Sequence, residues 1–250
     1  MTSSPSPSHC TLPAPLLQFE GKAGYGDTPL FEPITLCLYP QKWHCLLGRS
    51  GCGKSSLMRF IAGIEKQLWV QGGIKWSPAF TTPPKIAFMA QKDGLLDHKN
   101  IKENIVLGAA LRGEAIDHKR CDDLIGQVGL GDFAHLKPPQ LSGGMRQRCA
   151  LARSLYEDSD LILLDEPFSQ LDAYTRIEMQ KLAVTLLKGK TILHITHDPR
   201  EAALMADYLY ILKTEKLHNL PCPHTSPLRN FEDNAVLLIE KNIMAMLKKS

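Results

Sequence analysis

No apolar run in this sequence approaches the roughly 18–20 residues needed to cross a bilayer. The best stretch, Leu161 to Leu164, stops at Asp165-Glu166. No membrane-spanning helix is expected, and taken alone the chain is expected to be soluble. Charge of one sign is not in excess either: 29 Lys+Arg stand against 26 Asp+Glu, a net +3. That balance gives no strong pull towards nucleic acid or anionic lipid. A basic start followed by an apolar stretch, the mark of a secretory signal, is missing. Residues 1–15 carry Ser, Pro and Thr without Lys or Arg and read as a disordered tail. There is no CxxC pair among the seven cysteines, and their number is odd, which favours reduced thiols over a disulfide framework. Cys222 and His224 lie close together in a Pro-rich stretch but lack a second pair, so they make no convincing metal site. No internal repeat recurs at solenoid or propeller periods.

What is present is ordinary globular material. The 250 residues are 44% hydrophobic and 22% charged, enough to bury a sizeable core. Strand-like and helical stretches alternate. Leu16–Glu20, Ile34–Leu38 and Trp43–Leu47 read as strands, 53–62 as a helix entered from a Gly-rich turn, and Lys85–Met89 as a short apolar strand. A helical middle follows at about 101–111, 117–128 and 144–156. The strand-helix rhythm then returns with strands at Leu161–Leu164, Thr191–Ile195 and Tyr208–Leu212 and helices at 172–187 and 199–205. Short apolar strands separated by helices predict a parallel sheet covered on both faces. The block at about 92–158 predicts an inserted helical subdomain. Residues 213–229 read as a loop, and 231–247 as a terminal helix.

Gly48-Arg49-Ser50-Gly51-Cys52-Gly53-Lys54-Ser55 fits G-x-x-x-x-G-K-[ST] between a predicted strand and a predicted helix. Glycines let backbone N–H groups wrap phosphate oxygens, and the helix start adds its positive end. Lys54 can reach the β- and γ-phosphates, and Ser55 can place its hydroxyl on Mg²⁺. The bland alternative is a Gly-rich turn with a surface lysine. Asp165-Glu166 ends a buried-type strand, where a parallel sheet delivers residues to its ligand crevice. Asp165 can hold Mg²⁺ through water, and Glu166 can accept a proton from an attacking water. Two solvated acids ending a strand are the alternative.

Leu141-Ser142-Gly143-Gly144-Met145-Arg146-Gln147-Arg148 lies just upstream of that strand. Alone it could be a capping Ser followed by glycines at a helix start. In this order with the other two motifs it resembles the signature of the ABC transporter ATP-binding subunits. The resemblance covers about residues 16–212 and implies an α/β fold: a RecA-like P-loop NTPase core with an antiparallel β-subdomain and the inserted α-helical subdomain. It implies ATP and Mg²⁺ as cofactors. Tyr25 matches an aromatic that stacks on adenine, Gln91 a glutamine that touches Mg²⁺ or the lytic water, and His197 a histidine that contacts the γ-phosphate. Ser56 completes the phosphate loop, and Ser169-Gln170-Leu171-Asp172 resembles the loop that communicates across the dimer. In such proteins two copies face head to tail. By that resemblance Ser142, Gly143 and Gly144 of one copy would grip the ATP held by the other.

Some positions depart from the family pattern: Arg49 stands for a common Pro, Ser56 for Thr and Gln170 for a small residue. None removes a catalytic group. The resemblance further implies an importer subunit on the cytoplasmic face of the inner membrane, bound peripherally to permease subunits and, through them, to a solute-binding protein, with no nucleic acid. Residues 88–96 and Gly143-Gly144-Met145 resemble the nitrate, sulfonate and taurine branch, and 179–183 the hydroxymethylpyrimidine (thiamine precursor) cassettes. Asp97-His98 departs from that branch. Leu95, Leu96 and Ile101 are candidates for anchoring a permease helix or, alternatively, simply pack the helical subdomain. The competing classes are a non-transport ABC ATPase acting on nucleic acid or ribosomes, a soluble P-loop kinase or GTPase, and a module that holds ATP without turnover. The first lacks the expected insertions here, and the others leave the signature or Glu166 and His197 unexplained.

Overall fold

The structure is a computed structural model that describes residues 14–248 except 83, 214, 215, 223, 224, 226 and 231. The expected tail therefore falls outside the described residues but for Ala14 and Pro15, and so does His224.

Strands β1 (Leu17–Tyr25) and β2 (Thr28–Leu38) form a hairpin whose two-residue turn places Gly26 at φ 53, the left-handed conformation such turns require. Strand β4 (Trp69–Trp76) adds to the other side of β1, giving an antiparallel sheet in the order β2-β1-β4. β1 and β4 approach closely at Gly21 and Gly72. A Cβ on either would strike a backbone carbonyl of the other strand, Gln71 O or Glu20 O.

The second sheet runs β5-β6-β7-β3-β8-β9. Its members are β3 (Trp43–Gly48), β5 (Ile86–Met89), β6 (Leu161–Asp165), β7 (Thr191–Ile195), β8 (Tyr208–Leu212) and β9 (Leu217–Leu220). All pairings are parallel except β8 with β9. β3, β6 and β7 are buried at every position, as strands covered on both faces must be. Their side chains divide by alternation. Leu161, Leu163, Leu193 and Ile195 enter one core with the antiparallel sheet and helix α1 (Lys54–Ile61). Ile162, Leu164 and Ile192 enter the other, with α5 (Gly143–Tyr156), α6 (Ala173–Leu186), α7 (Pro199–Met205) and α8 (Asn234–Lys248).

Between β5 and β6 the chain is helical: α2 (Ile101–Ile105), α3 (Leu107–Leu111), α4 (His118–Gln127) and then α5, around a third core. The expected single helix at 101–111 is interrupted at Val106, which ends α2 and precedes α3. Asn100 starts α2 with a reciprocal capping box to Glu103. Leu95 and Ile101 are buried in this helical core, so for these two residues packing accounts for the apolar side chain.

Two strands escaped the sequence reading. β4 was not anticipated, and β9 lies inside the stretch 213–229 read as a loop, which corrects that reading. Both are edge strands with mixed polarity: β4 carries Gln71, Gly72, Gly73 and Lys75, and β9 is Leu-His-Asn-Leu. Such strands show no clean alternation.

Candidate functional site

The parallel order β5-β6-β7-β3 brings four loops to one edge of the sheet, at the carboxy-terminal ends of adjacent strands. This is where a sheet of this kind holds ligands. After β3 come Gly48 to Ser55. Gly51 (φ 82) and Gly53 (φ 94) take left-handed conformations that only glycine adopts without strain. Gly53 leads directly into α1. The Lys54 ammonium is almost fully buried and donates to the carbonyls of Gly48 and Arg49, both at 2.9 Å. The lysine thus closes the loop from inside. Cys52 Sγ lies 3.8 Å from the same ammonium, and Ser50 stands exposed in the loop.

Asp165, the last residue of β6, accepts from Ser55 Oγ at 2.9 Å. Burial pushes the Asp165 carboxyl up from the ordinary range, and the Ser55 hydrogen bond opposes that shift. Glu166 follows at φ 48, so the chain turns sharply and the two neighbouring acids diverge. Its backbone N–H donates to Ile195 O (2.9 Å), and its carbonyl accepts from Ser169 Oγ (2.9 Å). The turn is therefore tied to β7 on one side and to the 169–172 loop on the other.

Glu166 Oε2 collects two further side chains. Gln91 Nε2, two residues past β5, donates to it at 3.2 Å, and His197 Nδ1, two residues past β7, lies 3.0 Å away. Gln91 and His197 thus converge on one oxygen of Glu166, the three residues coming from the ends of three different strands. Tyr25, at the end of β1, is half-buried beside α1, and its hydroxyl donates to Ser56 Oγ at 3.1 Å.

Ser142, Gly143 and Gly144 stand apart. Ser142 caps α5, its Oγ accepting from Met145 N at 3.3 Å. Ser142 and Gly143 face solvent. Among the described residues, no hydrogen bond joins this motif to the loop at 48–55, to Asp165 or to Glu166. Gly144 lies against Thr175 in the first turn of α6: a Cβ there would come 2.7 Å from Thr175 Cγ2.

The sequence reading missed the residues that fix these loops. Arg146 Nε donates to Asp93 Oδ2 (2.8 Å), and Arg153 donates to the carbonyls of Gly94 (2.8 Å) and Asp93 (2.5 Å). Both arginines lie on α5, so the segment after Gln91 is clamped to the signature helix. Their spacing of seven, two helical turns on one face, was the available signal. Arg176 likewise donates to Phe168 O and Leu171 O and holds the 169–172 loop.

The donors near the phosphate loop suit a hard cation that keeps most of its waters: a serine hydroxyl, one carboxylate and an amide oxygen at most. Among the described residues no helix is long and apolar enough to span a membrane.

Known proteins resemble most of this chain. A model of the family described as ABC transporter matches residues 31–169. The chain is similar to an uncharacterised ABC transporter ATP-binding protein of Haemophilus influenzae, 44% identical over 196 residues, which covers 78% of this chain and 80% of that one. It is also similar to the aliphatic sulfonates import ATP-binding protein SsuB 1 of Paracoccus denitrificans (36% identical, 80% and 81% covered) and to SsuB 2 of Xanthomonas axonopodis pv. citri (40%, 80% and 69%). Among solved structures, a metal-chelate type ABC transporter in an inward-facing conformation matches with a TM-score of 0.70 over 82% of this chain and 83% of that one. At 22% identity that likeness speaks to the fold alone.

Proposed function

This chain belongs to the ABC transporter family of ATP-binding proteins, and from that premise we propose that it is the ATPase subunit of an importer, working as a head-to-tail pair of copies bound to permease subunits at the inner membrane. The observation that carries the catalytic part is the meeting of Gln91, Glu166 and His197 on one carboxylate beside the phosphate loop. ATP binds with its phosphates against the backbone N–H groups of 48–53 and the Lys54 ammonium. Ser55, Asp165 and Gln91 would hold Mg²⁺, which would neutralise phosphate charge. Glu166 accepts a proton as water attacks the γ-phosphorus, and the bond to the leaving ADP oxygen breaks. Gln91 and His197 orient the water and the γ-phosphate. Tyr25 packs on the adenine, and Ser142, Gly143 and Gly144 of the second copy complete the site.

Cargo is selected by the partner subunits, so no residue of this chain reads it. The names of the sulfonate-import relatives favour an aliphatic sulfonate over hydroxymethylpyrimidine. The test is uptake of a labelled alkanesulfonate in cells whose only copy of this chain carries Lys54→Ala. Loss of uptake together with weakened Mg-ATP binding by the purified chain is expected. Normal uptake would contradict the sulfonate assignment, and unchanged ATP affinity would contradict the phosphate-loop role.

A further inference from the structure

Strand β7 is apolar except for Thr191 at its start and His194. Leu193 and Ile195 point to one face of the sheet and Ile192 to the other, and His194 shares the Ile192 side with no exposed surface. A wholly buried imidazole requires polar partners. Trp43 Nε1 donates to His194 Nδ1 at 3.3 Å, which leaves the ring proton on Nε2. Nε2 lies 2.7 Å from Glu201 Oε1, an ion-pair distance without the alignment of a hydrogen bond. Glu201, only 4% exposed, accepts at its other oxygen from Gln180 Nε2 at 3.2 Å. Cys45 Sγ (3.8 Å from Nδ1) and the ring of Phe168 (5.7 Å between centroids, edge-on) enclose the imidazole. Polar side chains from β7, α6 and α7 thus meet inside an apolar core.

Their position matters because of what lies beside them. His197 follows β7 by two residues, and Asp198 caps α7, accepting from the N–H groups of Arg200 and Glu201. Beneath the loop is a cavity of about 30 Å³ lined by Glu166, Ser169, Arg176, Thr196, His197, Asp198 and Glu201. That is room for one or two waters, not a packed support. Apart from the Asp198 N–H donation to Thr196 Oγ1 (3.0 Å) within it, the loop is placed by its two ends. One end is Thr196 N, which donates to Leu46 O at 3.3 Å. The other is the first turn of α7, and Glu201 is the side chain that bolts this turn to β7 and α6.

We propose that Glu201, held by His194 and Gln180, is a positioning residue that sets His197 against Glu166. Because Gln180 lies on the helix that follows the 169–172 loop, the same contact ties movement of that loop to the histidine. The inference rests on the catalytic reading of Glu166 and His197 given above.

The test replaces the three central polar side chains at once: Gln180→Met, His194→Leu and Glu201→Met in the full chain. It leaves no orphaned charge, only the Trp43 indole N–H without its acceptor, and apolar replacement of buried ionic groups is often neutral or stabilising. The expected result is an unchanged or higher Tm, a KM for ATP within about twofold of wild type, and a kcat lower by about tenfold or more, in line with the cost of misplacing a reacting group. A folded variant with kcat within about twofold of wild type would overturn the proposal. Should the triple variant fail to fold, Glu201→Asp decides. It keeps the charge but withdraws the carboxylate by one methylene, so kcat falls at unchanged KM, and a wild-type kcat would overturn the proposal. Glu166→Gln runs in the same assay. If it is dead while the triple variant matches wild type, only the positioning inference fails. If it still turns over, the catalytic reading fails and takes this inference with it.

Discussion

The two ligand-facing regions of the molecule are built in opposite ways. At the edge of the parallel sheet, the phosphate loop, Asp165, Glu166, Gln91 and His197 are bonded to one another or to neighbouring strands. At the start of α5, Ser142 and Gly143 face solvent, and among the described residues they serve to begin a helix. The first region is a site that one chain can assemble. The second is a solvent-facing helix start that, among the described residues, no hydrogen bond links to the first. The difference fits the proposed head-to-tail pair, in which each chain would lend its signature to the other's phosphate loop.

The largest expected effect is at the assembled end. Glu166→Gln removes the proton acceptor and keeps the shape. Steady-state ATP hydrolysis should fall by about 10²–10⁴-fold while ATP still binds. Turnover near the wild-type rate would break the claim that this carboxylate is the base.

A smaller effect is expected at the signature. Gly144→Val places a branched side chain where a Cβ already comes 2.7 Å from Thr175 Cγ2. The first turn of α5 must shift, so hydrolysis should fall while nucleotide affinity of the separated chain, measured by fluorescence titration, stays within about twofold. A matching loss of affinity would mean that the two regions act within one chain.

The smallest effect on turnover belongs to the opposite edge of the sheet, which serves as a control. His44, near the start of β3, is buried between Ile192 O (3.0 Å) and Tyr39 N–H (2.8 Å) and stacks on Tyr208. Burial pulls its pKa from 6.5 down to about 4, partly opposed by the bond to Ile192. The unfolded chain therefore takes up a proton below pH 6.5 that the folded chain refuses until about pH 4. Stability is unaffected by this group above pH 6.5 and is lost progressively between 6.5 and 4, by about 3 kcal/mol in all. His44→Phe should flatten the fall of Tm over that window and leave kcat at pH 7.5 nearly unchanged. An equally steep acid slope would contradict the assignment.

Much of the assembled region could be read from sequence because its signals are local. Gly48 to Ser55 sits between an apolar strand and a helix, and Asp165-Glu166 ends a run of four buried aliphatics. The core strands β3, β6 and β7 announced themselves by being mostly apolar, His44, Asp165, Thr191 and His194 apart. The edge strands did not. β4 has two glycines, one needed for the close approach to β1 at Gly21, and β9 is half polar, so neither carries a period. The clamps of Arg146 and Arg153 on Asp93 and Gly94 span more than fifty residues and are fixed only by the packing of α5 against the segment after β5. The same holds for the sharp turn at Glu166, which depends on Ile195 and Ser169.

The central claim is that each working site joins one chain's phosphate loop to another chain's signature. It is tested most directly by mixing two inactive variants, Lys54→Ala and Ser142→Arg, in equal amounts and measuring ATP hydrolysis. A mixed pair has one site built from the intact loop of one chain and the intact signature of the other. Random pairing then restores roughly a quarter of the wild-type sites. Recovery of activity at about that level, absent from either variant alone, is the expected result. A mixture as inactive as its components would contradict the account.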